Sequence, residues 1–273
     1  MSNLFICVLI SLCSFAASGS SLIGGRLVEP DEFSEVIRIR SGNSYCTASI
    51  IGPRVILTAA HCSHDNGEIV PVSESDLYEF VLEQTVYKAR CTIAPEYSGR
   101  TGDQDMSLCL TDKPVDVKFG IVLKTGPKID EVITLMGYGC TKIGGGDYDG
   151  KLRTGEALVT KLPTPDYYSI HTIGNSALCF GDSGGPAFKR IDNPRNEYHY
   201  IYSVNSRGNI KDLSLLTAVF HPKSIEFMEK FEREKGVEIC GISKDCENPK
   251  GPYCKEELNL VKSAVKELSQ CLL

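Results

Sequence analysis

Twelve cysteines in 273 residues constrain this chain more than any other feature. A reducing cytosol rarely keeps so many thiols unless they bind metal, so the count points to an oxidising compartment and a disulfide-stapled fold. The first 21 residues agree, because none of them carries a charged side chain. The apolar run from Leu4 to Ala17 has the length of a signal-peptide core and is too short to cross a bilayer comfortably. Small residues follow it, Ala16 to Ser21, as a signal peptidase prefers. A buried N-terminal element fits this pattern less well, and so does a lipid anchor at Cys13, because bulky Leu12 precedes it. Residues 1–21 are therefore expected to be a signal peptide, and the mature chain to be secreted, extracellular or periplasmic, with no membrane attachment. Its removal takes Cys7 and Cys13 and leaves ten cysteines, an even number.

The net charge of −6 argues against a nucleic-acid partner held by a broad basic face. With 42% hydrophobic and 23% charged residues the chain is too apolar to be disordered. From about residue 22 to 220, short β-branched runs alternate with Gly, Pro and Asn. Tyr45–Ile51 and Val55–Thr58 around Gly52-Pro53-Arg54 read as a hairpin. Further strands are expected at Leu77–Ala89, Val132–Tyr138, Glu156–Leu162, Ala187–Arg190, Tyr198–Val204 and Ser214–Phe220. Such a run suggests an all-β sandwich or barrel. The period then changes: Ile225, Met228 and Phe231 share one face of a helix over 224–235 that stops at Gly236. A cysteine-rich tail follows, with Leu258, Val261, Val265, Leu268 and Leu272 at helical spacing. That stripe reads as a short helix packed on the main domain, or as a docking surface for another protein.

Three separated segments carry chemistry. Thr58-Ala59-Ala60-His61-Cys62 places a histidine among small residues after a strand. Asp105 enters the apolar run Met106–Leu110, where a buried carboxylate needs a hydrogen-bonding partner. Gly181-Asp182-Ser183-Gly184-Gly185-Pro186 flanks a serine with residues that permit unusual backbone angles. Together they meet the needs of acyl transfer. His61 takes the Ser183 proton, Asp105 fixes the imidazole, and the N–H groups of Gly181 and Ser183 face the developing oxyanion.

On these residues the chain resembles the trypsin/chymotrypsin-type serine endopeptidases. The histidine and serine segments match that family's motifs without change, and the order His61, Asp105, Ser183 is the chymotrypsin order. The resemblance covers about residues 22–235. It implies two packed six-stranded antiparallel β-barrels with the cleft between them, a protease domain over 22–237, and a C-terminal extension over 238–273. It implies an endopeptidase acting on protein or peptide substrates through an acyl-enzyme, as a monomer, with no cofactor and no metal. A calcium-binding loop at Glu68, Glu74, Asp76 and Glu83 is the weaker alternative.

The resemblance also assigns details. Leu22-Ile23-Gly24-Gly25 matches the family's new N-terminus, whose amine pairs with the Asp before the nucleophile, here Asp182. Ser21 stands where zymogens usually carry Arg or Lys, so signal removal or a different protease is expected to free Leu22. Cys46 and Cys62 match the bridge bracing the histidine loop. Cys179 lacks its usual partner, which makes Cys140 the preferred one and leaves Cys91 for Cys109. Cys240, Cys246, Cys254 and Cys271 allow three pairings. The pocket floor is Ala177, where trypsin-like enzymes have Asp. With Leu178, Ser206, Gly208 and Ser214 as further substrate-binding residues, this implies a preference for apolar side chains rather than Lys or Arg. Arg207 replaces an aromatic residue common in the family. The competing function is a non-catalytic binding protein on the same scaffold.

Overall fold

The computed structural model describes residues 22–30, 32–41, 44–63, 78–195 and 198–247. The expected signal peptide, most of the acidic loop, Cys254, Cys271 and the tail stripe lie outside these residues.

The first barrel is built from β2 (Val36–Ser41), β3 (Ser44–Gly52), β4 (Val55–Thr58), β5 (Tyr78–Leu82), β6 (Thr85–Ile93) and β7 (Ser107–Thr111). A preceding short strand, β1 (Arg26–Leu27), belongs to the other barrel. The six strands close in the order β2-β3-β4-β7-β6-β5, the ring completed where Arg40 faces Glu79. Alternation decides what points inward: Tyr78 and Phe80 are buried while Glu79 and Val81 face water. They fill the barrel with Ile37, Ile39, Ile50 and Ile56. Each such side chain contributes about 1.5–3 kcal/mol by leaving water. The run expected as one strand over 77–89 is two strands of a hairpin, β5 and β6. Glu83 and Gln84 turn the chain with φ of 44° and 69°, the left-handed pair that a two-residue hairpin loop requires. Neither residue type advertises that turn, which is why the sequence hides it.

The second barrel follows from β8 (Ile121–Val122), β9 (Val132–Gly137), β10 (Arg153–Lys161), β11 (Ser169–Ile173), β12 (Pro186–Lys189), β13 (Tyr200–Gly208) and β14 (Leu213–Ala218). Strands β9-β12-β13-β14-β11-β10 pair in turn, and β10 returns to β9, so this sheet also closes on six antiparallel strands. β1 and β8 attach outside the ring. The two-barrel architecture implied by the motifs is therefore the observed one.

Between the barrels lies one apolar cluster that includes Ile51, Leu57, Met106, Leu108, Met136, Phe188, Ile201 and Val204. Helix α1 (Pro222–Lys235) covers it with Phe227, Met228 and Phe231. The helix starts two residues before the periodicity suggests, because His221 acts as N-cap and Pro222 occupies the first turn. It stops at Gly236, which adopts φ 63° and donates its N–H to Glu232 O. Packing continues past the expected domain end at 237. Ile239 and Cys240 are fully buried, Cys240 N–H donates to Ile51 O at 2.8 Å, and Val122 N–H donates to Cys240 O at 2.9 Å. Within the tail, a disulfide joins Cys240 to Cys246.

Candidate active site

The loop before β7 buries Asp105, 1% exposed, in the cleft between the barrels. A 3-10 turn, Ala60–Ser63, presents His61 to it. His61 backbone N–H donates to Asp105 Oδ1 at 2.9 Å, and His61 Nδ1 lies 2.7 Å from Oδ2. On the other side of the ring, Nε2 lies 2.8 Å from Ser183 Oγ. Ser206 Oγ donates to Asp105 Oδ2 at 2.5 Å. Burial pushes the Asp105 carboxyl up, but the charge and hydrogen bond of His61 and the hydroxyl of Ser206 hold it below the usual carboxylate range. An ionised Asp105 only accepts, so Nδ1 must donate. When the imidazole is neutral, Nε2 is then the acceptor for the serine hydroxyl.

The serine sits on a loop whose carbonyls are fastened one after another. Phe180 O accepts from Cys140 N–H at 2.8 Å, and Gly181 O from Thr47 Oγ1 at 2.8 Å. Asp182 O accepts from Gly185 N–H at 3.0 Å and from Asn205 Nδ2 at 3.2 Å, and Ser183 O from Thr47 N–H at 2.8 Å. Among the described residues no acceptor takes the N–H of Gly181 or of Ser183. Two free donors beside a nucleophile are what a developing oxyanion needs. The glycines are required here: Gly181 has φ 98°, and at Gly184 (φ 82°) a Cβ would collide with Thr58 Oγ1 and Thr47 O.

Asp182 is fully buried beneath this loop. Its two oxygens accept from Gly139 N–H and Cys179 N–H, each at 2.8 Å. Burial raises its carboxyl to about 7, against the lowering pull of those amides and of Arg153. Leu22 is also fully buried, and Ile23 and Ala177 exchange backbone hydrogen bonds at 3.0 and 3.1 Å. Among the described residues the groups acting on the Asp182 carboxyl are Cys179, Gly139 and Arg153, and Leu22 is not one of them.

The remaining expected site residues divide. Ala177 and Ser214 are fully buried and Leu178 nearly so, with Leu178 N–H donating to Ser214 Oγ at 3.0 Å. The Ser206 hydroxyl is engaged by Asp105. A bulge in β13 between Asn205 and Arg207 turns two successive side chains, Ser206 and Arg207, toward the same carboxylate. β12 pairs with β13 only as far as Val204. From Ser206 to Gly208 the strand is paired with β14 alone, which leaves an edge for an added strand. Disulfides join Cys46 to Cys62, Cys91 to Cys109 and Cys140 to Cys179. Among the described residues no group of three or more His, Cys, Asp or Glu is placed to hold a metal.

Sequence reasoning missed Thr47, Asn205 and Tyr97. Thr47, next to Cys46, clamps the nucleophile loop at two carbonyls and accepts from Tyr138 N–H at 3.0 Å. Asn205 Nδ2 donates to Met136 O at 2.7 Å as well as to Asp182 O. The Tyr97 hydroxyl is raised to about 12 by burial and by the negative charges of Asp105 and Asp103, with Arg207 opposing. Only the polar interruption of an apolar strand at Thr47 and Asn205 could have flagged them.

The family model for trypsin matches residues 22–220. The chain is 24% identical over 191 residues to a trypsin-like protease of Streptomyces glaucescens, covering 64% of this chain and 69% of that protein. It is 24% identical over 186 residues to trypsin of Sus scrofa, covering 60% of this chain and 78% of the relative. An ovochymase of Halocynthia roretzi is 27% identical over 187 residues, 61% of this chain but only 12% of that longer protein.

Proposed function

The chain belongs to the trypsin family, and from that premise we propose that it is an exported serine endopeptidase. His61 Nε2 accepts the Ser183 proton as Oγ attacks a peptide carbonyl, and Asp105 stabilises the imidazolium that forms. The Gly181 and Ser183 N–H groups receive the oxyanion, each contributing about 3 kcal/mol in the transition state. The imidazolium then protonates the leaving amine, and water admitted in its place attacks the acyl-enzyme by the same route. The observation that carries this reading is the unbroken contact from Asp105 Oδ2 through His61 to Ser183 Oγ, at 2.7 and 2.8 Å.

Ala177, Leu178 and Ser214 supply no charge to a pocket floor, which supports an apolar residue before the scissile bond. Four disulfides among the described residues and the apolar first 21 residues support export. The active form is expected to begin at Leu22, with its amine on Asp182. The test is hydrolysis of a diverse peptide mixture by secreted material whose N-terminus is read in the same run. Cleavage after apolar residues that disappears in Ser183→Ala is expected. Cleavage after Lys or Arg would overturn the pocket reading. Full activity in Ser183→Ala would overturn the nucleophile, and no hydrolysis by a chain beginning at Leu22 would favour a binding role.

A further inference from the structure

We propose that Arg207 selects substrates that carry a carboxylate side chain on the N-terminal side of the scissile bond. This rests on the endopeptidase reading above and names the substrate class of the same cleft.

Arg207 lies on the open edge of β13, the segment along which an extended substrate would add as a further strand. Its guanidinium is one-third exposed at the cleft. A guanidinium has five N–H donors in a fixed fork, and charge-assisted bonds from it are typically about 2.7–2.9 Å long. Every contact of Arg207 is longer. Nε reaches Ser206 Oγ at 3.4 Å, Nη1 reaches Gly99 O at 3.4 Å, and Nη2 stands 3.8 Å from Asp105 Oδ2. Arg153 makes the contrast within this chain, gripping Asp149 with two bonds of 2.8 and 2.7 Å. Arg207 is thus held in place without being saturated. Asp105 does not need it, since His61 and Ser206 already occupy its oxygens.

Charges of both signs surround the fork. Arg100 follows Gly99 in the loop that Arg207 touches, and Lys211 stands exposed in the turn between β13 and β14. Asp103 and Asp212 in the same loops keep their negative charge, and each has one oxygen bound within its own loop. Asp103 Oδ2 accepts the N–H groups of Ser98 and Arg100 at 2.8 and 2.9 Å, and Asp212 Oδ1 accepts from Asn209 Nδ2 at 2.6 Å. A substrate strand paired with Arg207 and Gly208 places alternate side chains on the Arg207 face, so an Asp or Glu within about four residues of the cut can reach the fork.

The test uses mature secreted protein, titrated first with a serine-reactive phosphonate. Peptide pairs differing only as Glu against Gln, or Asp against Asn, are compared at each of those positions. The acidic member is expected to be cut about ten-fold faster in kcat/KM at one position, the size of one hydrogen bond to a charged group. Added salt should shrink the ratio. Arg207→Gln should bring it to about one, and Arg207→Glu should reverse it in favour of Lys-bearing peptides. Equal rates for both members, in a preparation of which a separate sample labels fully at Ser183, overturn this proposal and leave the protease standing, and so does a ratio that survives in Arg207→Gln. Absence of labelling at Ser183 overturns both.

Discussion

Two buried aspartates stand on opposite sides of this cleft, and they are held in opposite ways. Asp105, between the first barrel and the histidine turn, meets a partner at each oxygen and is pulled below the ordinary carboxylate range against its burial. Asp182, under the nucleophile loop of the second barrel, meets two backbone amides and is raised to about 7. The first wall is complete as soon as the chain folds. The second carries a raised carboxyl, which the activation proposed above would pair with the Leu22 amine. On that proposal the same side chain is a fixed support on one wall and a latch on the other.

The sign of each effect makes the contrast measurable. A carboxylate whose folded value is lowered stabilises the protein above the ordinary carboxylate range, and that contribution fades as pH falls below it. A carboxylate whose folded value is raised does the reverse: it favours the fold at acid pH, and the advantage is lost between about 4 and about 7. Asp182 lies in the second class, and the difference is worth up to about 4 kcal/mol.

The largest expected effect is on the first wall. Asp105→Asn leaves the ring in place but reverses the tautomer that Nδ1 needs, so kcat should drop by about 10⁴ with the fold intact. A loss of less than ten-fold would show that the carboxylate does not orient His61. Next comes the latch. In a chain still joined through Ser21, thermal stability should decline from pH 5 to pH 8, and Asp182→Asn should flatten that decline. In a chain beginning at Leu22 the decline should vanish, while Asp182→Asn should cost about 10²-fold in kcat through a misplaced oxyanion donor. Identical pH profiles for the two N-termini would remove the contrast. A smaller effect is expected at Thr47, the link between the walls. Thr47→Val should lower kcat about ten-fold with KM little changed, and Thr47→Ser should restore it, since only the hydroxyl reaches Gly181 O. The smallest functional effect is expected where the first barrel is braced away from the serine. Replacing Cys91 and Cys109 together by Ser should cost about 3 kcal/mol of stability and leave the rate per folded molecule unchanged.

What could be read from the chain follows the same division. His61 and Ser183 are legible because each lies in a short segment of small residues or glycine, and Asp105 because it is a charge at the start of an apolar run. The barrels were legible as alternation, though β2 and β11 were passed over and the Glu83-Gln84 turn was hidden. The latch environment was not legible beyond Asp182 itself. The amides of Gly139 and Cys179 come from segments 43 and 3 residues away, and backbone donors leave no trace in side-chain identity. The buried contact of Glu35 with His199, 2.5 Å apart across 164 residues, was invisible for a related reason: no local pattern marks it. The contact of Ser206 with Asp105 is hidden in the sequence because it depends on the bulge in β13.

The central claim is that folding sets a competent serine beside a histidine that a buried carboxylate holds. Secreted protein beginning at Leu22 should be treated with a serine-reactive phosphonate and the adduct mapped by mass spectrometry. One stoichiometric adduct on Ser183, lost in His61→Ala, is expected. An unmodified Ser183 in such protein, or an adduct of undiminished rate without His61, would contradict it.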